Sequence, residues 1–391
     1  MRATMQILFA VVPPGDRIVV HGHGDAEENA LRIAGALSRR AVPDAVVTML
    51  CADPAAAARY AAVALEQTDW DPARVCFVKK RSVRGPWAFV RARLTFSTHG
   101  LFGRPEPGRR RLHVMLGHGH GPKSSGADPG VRTDVAQIAT TNNRVWGFAV
   151  LADSGVDVAR SAFATGNPRD DAFDEDAGRA RLTTLGIDPA RPLVLWLPTW
   201  RPDTPAFDAV RRAATDRLAR LGSTLDAYAA ERGVTLVTKV HQMDAGISAL
   251  HGDRHVVTSE TLADAGLSFF RLLAAADGVL SDYSSVWVDY LVRRRPVGLL
   301  FDDAEMFGRE RGFNRPTIDE VASDLMLRTP DDVVRFVDEV CDHHARPREW
   351  EPARRVSREL GLVTAPQRTD RVLDLVAERA ERYGRPLLRA R

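Results

Sequence analysis

Side chains able to handle protons and phosphates recur in this sequence where an apolar run breaks into a glycine- or serine-rich turn. In Leu112–Gly126, LHVMLGHGHGPKSSG, the apolar run opens into a glycine-rich loop holding His118, His120 and Lys123. Glycines let a backbone approach a ligand closely, and imidazole is the side chain that accepts a proton near neutral pH. A general base facing a cleft is one reading of that loop. A purely structural histidine loop is a second. A metal shared by His118 and His120, or by His21 and His23, is a third, although no carboxylate or cysteine stands at ligand spacing. On an extended loop, His118 and His120 would share one face.

A second stretch, Gly278–Asp303, reads GVLSDYSSVWVDYLVRRRPVGLLFDD. It predicts a strand at Gly278–Ser281, a polar turn at Asp282–Ser285, a helix over Val286–Val292 and a strand at Val297–Phe301. Pro296 stands where a helix cannot continue. Ser284 and Ser285 fall at the helix start, where free N–H groups and the positive end of the helix dipole attract an anion. The plainer reading of Ser284 is an N-cap. Polar groups also follow other expected strands: Thr199 and Arg201 after Leu193–Leu197, Lys239 and His241 around the end of Val234–Val240. Together they describe a phosphate-binding rim.

The elements that must position these groups alternate between strand and helix. Strands are expected at Arg17–Val20, Val46–Leu50, Val75–Val78, Leu94–Ser97 and Leu112–Leu116, with an alanine-rich helix at Pro54–Leu65. Such alternation argues for an α/β fold with parallel sheets. After Arg17–Val20, the pair Gly22 and Gly24 lacks the third glycine of a dinucleotide fingerprint. The turn-rich passage Phe163–Phe173 marks a domain boundary, giving residues 1–165 and 166–391. Amphipathic helices are expected at Asp331–Asp342 and Thr369–Arg382.

At 391 residues, with 45% hydrophobic content, the chain has material for two cored domains. A formal net charge of +3 makes no case for nucleic acid. The 54 basic side chains include only four lysines (Lys79, Lys80, Lys123, Lys239), which leaves 50 arginines. That lopsidedness reads as compositional bias, against which a retained lysine hints at a wanted ammonium. Cys51, Cys76 and Cys341 are odd in number and widely spaced, so free thiols in a reducing compartment are expected. No apolar run approaches the roughly 20 residues of a membrane span, and Met5–Val12 has no cleavage-site pattern. A cytoplasmic protein is expected. Lys79–Arg93, KKRSVRGPWAFVRAR, gathers basic residues around Trp87 and Phe89. It reads either as a solvated basic helix or as a contact for an anionic membrane surface, the inner face of the cell membrane, or for a polyanionic acceptor.

Taken in order, these motifs resemble those of the CDP-glycerol glycerophosphotransferases, the enzymes of teichoic acid and capsule polymer synthesis. The resemblance rests on His118-Gly119 with Lys123, Thr165–Asp171 (TGNPRDD), Pro198–Arg201, Lys239-Val240-His241, Ser281–Ser285 with Pro296 and Asp302, and Arg311-Gly312-Phe313. It spans roughly residues 17 to 320. The chain departs from the family pattern at Gly117 (usually tryptophan), at Gln242 (usually proline) and in lacking a Pro-Gly after Arg-Gly-Phe. These differences bear on the acceptor and the donor polyol.

The resemblance implies a GT-B architecture, two Rossmann-like domains facing across a cleft, the first for the acceptor and the second for a CDP-activated polyol. It implies attack of an acceptor hydroxyl on the β-phosphorus with release of CMP, His118 serving as base. His241, Thr199, Arg201, Ser284 and Ser285 would stabilise charge, and Lys123, Arg169, Lys239, Ser281, Asp282 and Arg311 would complete the substrate-binding set. No metal cofactor is called for. The implied partners are CDP-glycerol or a similar CDP-polyol and a polyol-phosphate or lipid-linked glycan acceptor, with no nucleic acid. Two alternatives stay open at this stage: a GT-B glycosyltransferase or CDP-ribitol-type transferase, and a non-catalytic homologue that binds polymer or lipid.

Overall fold

Ile18, Val19 and Val20 are all fully buried. A strand hidden on both faces belongs inside a parallel sheet covered by helices on each side. The computed structural model, which describes residues 2–125, 135–198, 220–239, 255–301, 303–383 and 386–389, builds two such sheets.

The first contains β1 (Arg17–His21), β2 (Val46–Cys51), β3 (Val75–Lys79), β4 (Leu94–Ser97), β5 (Leu112–Met115), β6 (Ile138–Thr141) and β7 (Ala162–Ala164). Their order is β3-β2-β1-β4-β5-β6-β7, with every pairing parallel. The second contains β8 (Leu193–Leu197), β9 (Thr235–Lys239), β10 (His255–Val257), β11 (Gly278–Ser281) and β12 (Val297–Leu299), in the order β10-β9-β8-β11-β12 and again parallel. Both orders are Rossmann-like, reversing direction beside the first strand of each sheet. The α/β expectation is therefore met, and the main strands fall within a residue or two of their expected places. The short strands β6, β7 and β10 have no counterpart in the sequence reading.

The chain divides into two compact units. One comprises Met1–His120, Ser125–Glu175 and Val363–Arg391; the other comprises Gly121–Ser124 and Asp176–Leu362. The sequence reading carries the second domain to residue 391, whereas the closing segment packs with the first unit. The reason is local. Helix Arg368–Ala380 buries Val372, Leu373 and Val376 in the same core as Ile18, Val20, Val47 and Met49. Asp171 fixes its start, accepting the backbone N–H groups of Arg368 at 2.7 Å and Thr369 at 2.9 Å. The second unit opens with a 3-10 turn over Arg179–Leu185. Among the described residues, no helix is long and apolar enough to cross a membrane.

Candidate active site

In open α/β sheets, ligands bind beyond the carboxyl ends of the strands where the order reverses. In the first sheet that point lies between β1 and β4. Each strand there runs into a histidine followed by glycine: His23-Gly24 after β1, His99-Gly100 after β4, and, beyond neighbouring β5, His118-Gly119. The three imidazoles converge. His23 and His99 stack with ring centroids 4.1 Å apart, and His118 stands edge-on to them at 5.2 and 5.4 Å. The rings of His23 and His118 belong to exposed residues.

His118 owes its position to its backbone. The Arg169 guanidinium donates to the His118 carbonyl at 2.7 Å, and the Asn29 amide donates to the Gly117 carbonyl at 3.3 Å. Asn29 also accepts the Arg169 backbone N–H at 3.0 Å. Behind Arg169 lies Glu27, 3.8 Å from it, whose carboxylate caps helix Glu28–Arg40. Burial raises the Glu27 carboxyl to about 7, with Arg169 and the capping N–H groups pulling the other way.

His120 is not a twin of His118. Gly117 adopts φ 69°, so the loop is not extended and the two rings part company. His120 is buried, and burial, with Arg169 nearby, lowers its pKa to about 3. A Cβ at Gly117 would run into the His120 ring, and the positive φ disfavours any side chain there. The glycine that departs from the family pattern is therefore required by this packing.

His21 has its nitrogens occupied by protein: Nδ1 lies 3.0 Å from the Leu50 carbonyl and Nε2 2.8 Å from Lys80 Nζ. Burial and the neighbouring ammonium lower its pKa to about 4. Neither histidine pair of the metal reading is thus free to act as a pair. Among the described residues, no group of three or more His, Cys, Asp or Glu is arranged to hold a metal ion.

In the second sheet the order reverses between β8 and β11. The turn after β11 is fixed from several sides. Ser281 Oγ donates to the Leu197 carbonyl at 2.8 Å, tying β11 to β8, so this hydroxyl serves the sheet. Asp282 is buried and accepts the Ser284 N–H at 3.3 Å. Tyr283 is fully buried, its hydroxyl donating to Asp303 at 2.9 Å and its ring packed against Phe301, Phe307 and Phe313. Ser284 and Ser285 are left partly exposed where the chain turns into helix Val286–Tyr290. Ser285 is the N-cap by position, and its side chain makes no capping hydrogen bond. The expected helix over Val286–Val292 is α-helical only to Tyr290 and then tightens into a 3-10 turn, Leu291–Arg293.

Against this turn lies the segment Gly121–Ser124. Asn314 accounts for its course, donating through Nδ2 to the Gly121 and Lys123 carbonyls at 2.9 and 3.0 Å and through its backbone to Pro122 at 2.7 Å. Lys123 pairs with Phe313 in an isolated antiparallel bridge. A Cβ on Gly121 would sit 2.8 Å from Ser285 Cα and Cβ, so only glycine allows this approach. Arg311, half-buried, closes helix Ala304–Arg311 just before the same loop. Lys239 ends β9 with its ammonium 4.8 Å from the Phe269 ring centroid. Thr199, Arg201, His241 and Asp302 lie outside the described residues.

A profile of the family described as CDP-glycerol:poly(glycerophosphate) glycerophosphotransferase matches residues 43–377. The chain belongs to that family. No curated protein matches it. Among solved structures, the wall teichoic acid polymerase TagF is similar at 15% identity over 97% of this chain and 94% of that chain, with a TM-score of 0.68. A UDP-N-acetylglucosamine 2-epimerase described as putative, from Listeria monocytogenes, matches at 14% identity over 95% and 98%, TM-score 0.56. The UDP-GlcNAc 2-epimerase of Neisseria meningitidis, solved with UDP-GlcNAc, matches at 11% over 93% and 99%, TM-score 0.53. At these identities the likeness speaks for the fold, which is of the GT-B class. Family members are transferases, and so is this chain.

Of the residues described above, His23 entered the sequence reading only as a possible metal ligand, and His99, Asn29 and Asn314 were not singled out. A signal for the first two was available. The dipeptide His-Gly recurs after strands at His23, His99 and His118. Nothing local marks the two asparagines, whose partners lie far along the chain.

Proposed function

We propose that this enzyme, as a member of its family, moves glycerol phosphate from CDP-glycerol to the terminal hydroxyl of a poly(glycerophosphate) or lipid-linked glycan acceptor in cell-envelope polymer synthesis. The observation that carries the reading is the family match over residues 43–377. In the reaction the acceptor oxygen forms a bond to the β-phosphorus. The bond from that phosphorus to the bridging oxygen breaks, CMP leaves with the electron pair, and the hydroxyl proton passes to His118. Such a transfer asks a protein for positioning, a base and fixed donors for developing charge. Exposed His118 suits the base. Ser284 and Ser285, at the reversal point of the second sheet, suit the donor phosphates, joined in this reading by Lys239, Lys123, Arg311, Thr199, Arg201 and His241.

Arg169 and Ser281 act in this reading through the backbone they hold, and Asp282 by shaping the serine turn. The scheme calls on no metal ion. CMP release measured with CDP-glycerol, CDP-ribitol and UDP-sugars, each with and without poly(glycerophosphate), tests it. Acceptor-dependent CMP release from CDP-glycerol is expected; turnover confined to UDP-sugars would overturn it.

We further propose peripheral association with an anionic membrane. Of the basic residues in Lys79–Arg93, Lys80 is spent on His21, Arg91 donates to the Pro13 carbonyl, and Arg93 pairs with Asp16. Lys79, Arg81 and Arg84 remain exposed beside Val83 and Trp87, 90% and 54% exposed. Helix Arg2–Val11 packs alongside through Phe9 on Phe89 and exposes Ile7 and Val11. Basic side chains around exposed apolar ones favour a charged interface. Co-sedimentation with phosphatidylglycerol vesicles, lost at high salt, is expected, and its absence at low salt would refute the association.

A further inference from the structure

We propose that His23 and His99 form, beside His118, an anion subsite that grips the terminal phosphodiester of the acceptor chain. This rests on the reading of His118 as base and of a glycerol-phosphate polymer as acceptor. Three imidazoles from three separate strand ends meet at the reversal point of the first sheet, within 5.4 Å of one another by ring centroid. Each neutral imidazole offers one N–H donor, and each protonated one offers two.

The surroundings favour negative charge in the ligand. Lys80 lies behind His21, and the Arg104 side chain packs over Gly100, next to His99. The nearby acids are already engaged. Asp25 accepts the N–H groups of Ala52 and Asp53 at 2.7 and 2.8 Å, and Glu27 is buried against Arg169. Adjacent imidazoles resist joint protonation because like charges repel, and an incoming phosphodiester relieves that repulsion.

The ligand's own dimensions match. In poly(glycerophosphate) the terminal hydroxyl and the nearest phosphodiester are separated by one glycerol backbone. A hydroxyl at His118 then leaves its phosphodiester beside the stacked pair, whose centroids lie 5.2 and 5.4 Å from the His118 ring. The subsite would distinguish a polymer end from a free polyol. His23 also has its backbone fixed, its N–H donating to Thr98 Oγ1 at 2.9 Å.

The test compares kcat/KM for poly(glycerophosphate) with that for free glycerol, each with CDP-glycerol as donor, in the full-length wild type, His23→Gln and His99→Gln. Loss of one hydrogen bond to a charged group predicts that the preference for polymer falls about tenfold in each variant, mainly through KM. An unchanged preference in both, with the wild type active, overturns the subsite. A second arm needs no turnover: sn-glycerol 3-phosphate is titrated into the wild type while histidine ring protons are followed by NMR. Shifts of the His23 and His99 signals support the subsite, and their absence at saturating ligand overturns it. Failure of wild-type transfer from every CDP-polyol, with those shifts present, strikes the functional reading and leaves the anion site standing.

Discussion

The Arg169 guanidinium donates to the backbone carbonyl of His118 at 2.7 Å, so a residue of the TGNPRDD motif fixes the loop that carries the proposed base. Arg169 is itself 6% exposed and backed by Glu27. A buried cation held in this way serves as a strut more readily than as a ligand contact.

Arg169→Lys keeps the charge but loses the planar guanidinium whose Nη1 meets both Glu27 and the His118 carbonyl. A base displaced by about 1 Å costs on the order of 10²-fold in rate. The expected outcome is a fall in kcat of that order with CDP-glycerol affinity by calorimetry nearly intact. Loss of donor affinity with kcat preserved would show instead that Arg169 binds substrate. Asn29→Ala, which frees the Gly117 carbonyl, should produce the same pattern in milder form.

His118→Ala and His120→Ala should separate cleanly. The first removes an exposed ring and the proposed base, so turnover drops about 10²–10⁴-fold with little change in melting temperature. The second empties a buried position and should destabilise the fold by about 1–3 kcal/mol, seen as a lower denaturation midpoint. A fully active His118→Ala protein would remove the mechanism proposed above.

The serine turn makes its own prediction. Ser284→Ala with Ser285→Ala should weaken CDP-glycerol binding by roughly 1–3 kcal/mol through lost hydrogen bonds to the phosphates. Gly121→Ala should act on the same turn from the other side, because its methyl group would meet Ser285 at 2.8 Å. Overpacking of this kind costs about 1–3 kcal/mol. Calorimetry on each folded variant reads both effects, and unaltered affinity in the double serine variant would exclude the turn as donor site.

Stability should depend on pH in two opposed ways. His120 has its pKa lowered from 6.5 to about 3. As pH falls below 6.5 the unfolded chain takes up a proton that the folded state refuses, so stability is lost by about 1.4 kcal/mol per pH unit towards the folded pKa. Glu27 is raised from 4.5 to about 7, so the folded state holds its proton longer and loses stability as pH rises through that window. Urea denaturation between pH 4.5 and 7 should therefore show a shallower acid loss in His120→Gln and a steeper one in Glu27→Gln. Identical slopes in wild type and both variants would contradict the two burial assignments.

Much of the framework was legible along the chain, because strands and helices are encoded by local periodicity. β4, β8 and β11 fall on their expected residues, and the turn after β11 stands where its serines and Pro296 imply. The family, too, could be read from ordered short motifs. The tertiary structure decided what each polar side chain is spent on. The sequence shows His118 and His120 as equals, and only the left-handed Gly117 sends one to the surface and the other inside. Ser281 and Ser284 look alike in the motif, yet strand pairing consumes the first hydroxyl and leaves Ser284 partly exposed. Asn314 and Gly121, 193 positions apart, meet by hydrogen bond, as do Arg169 and the His118 carbonyl across 51. The packing of helix Arg368–Ala380 on the first sheet is a choice between two apolar cores that its own stripe does not make. Local sequence sets φ, ψ and amphipathicity; which distant partner satisfies a given carbonyl, charge or apolar stripe is settled only when the whole chain packs.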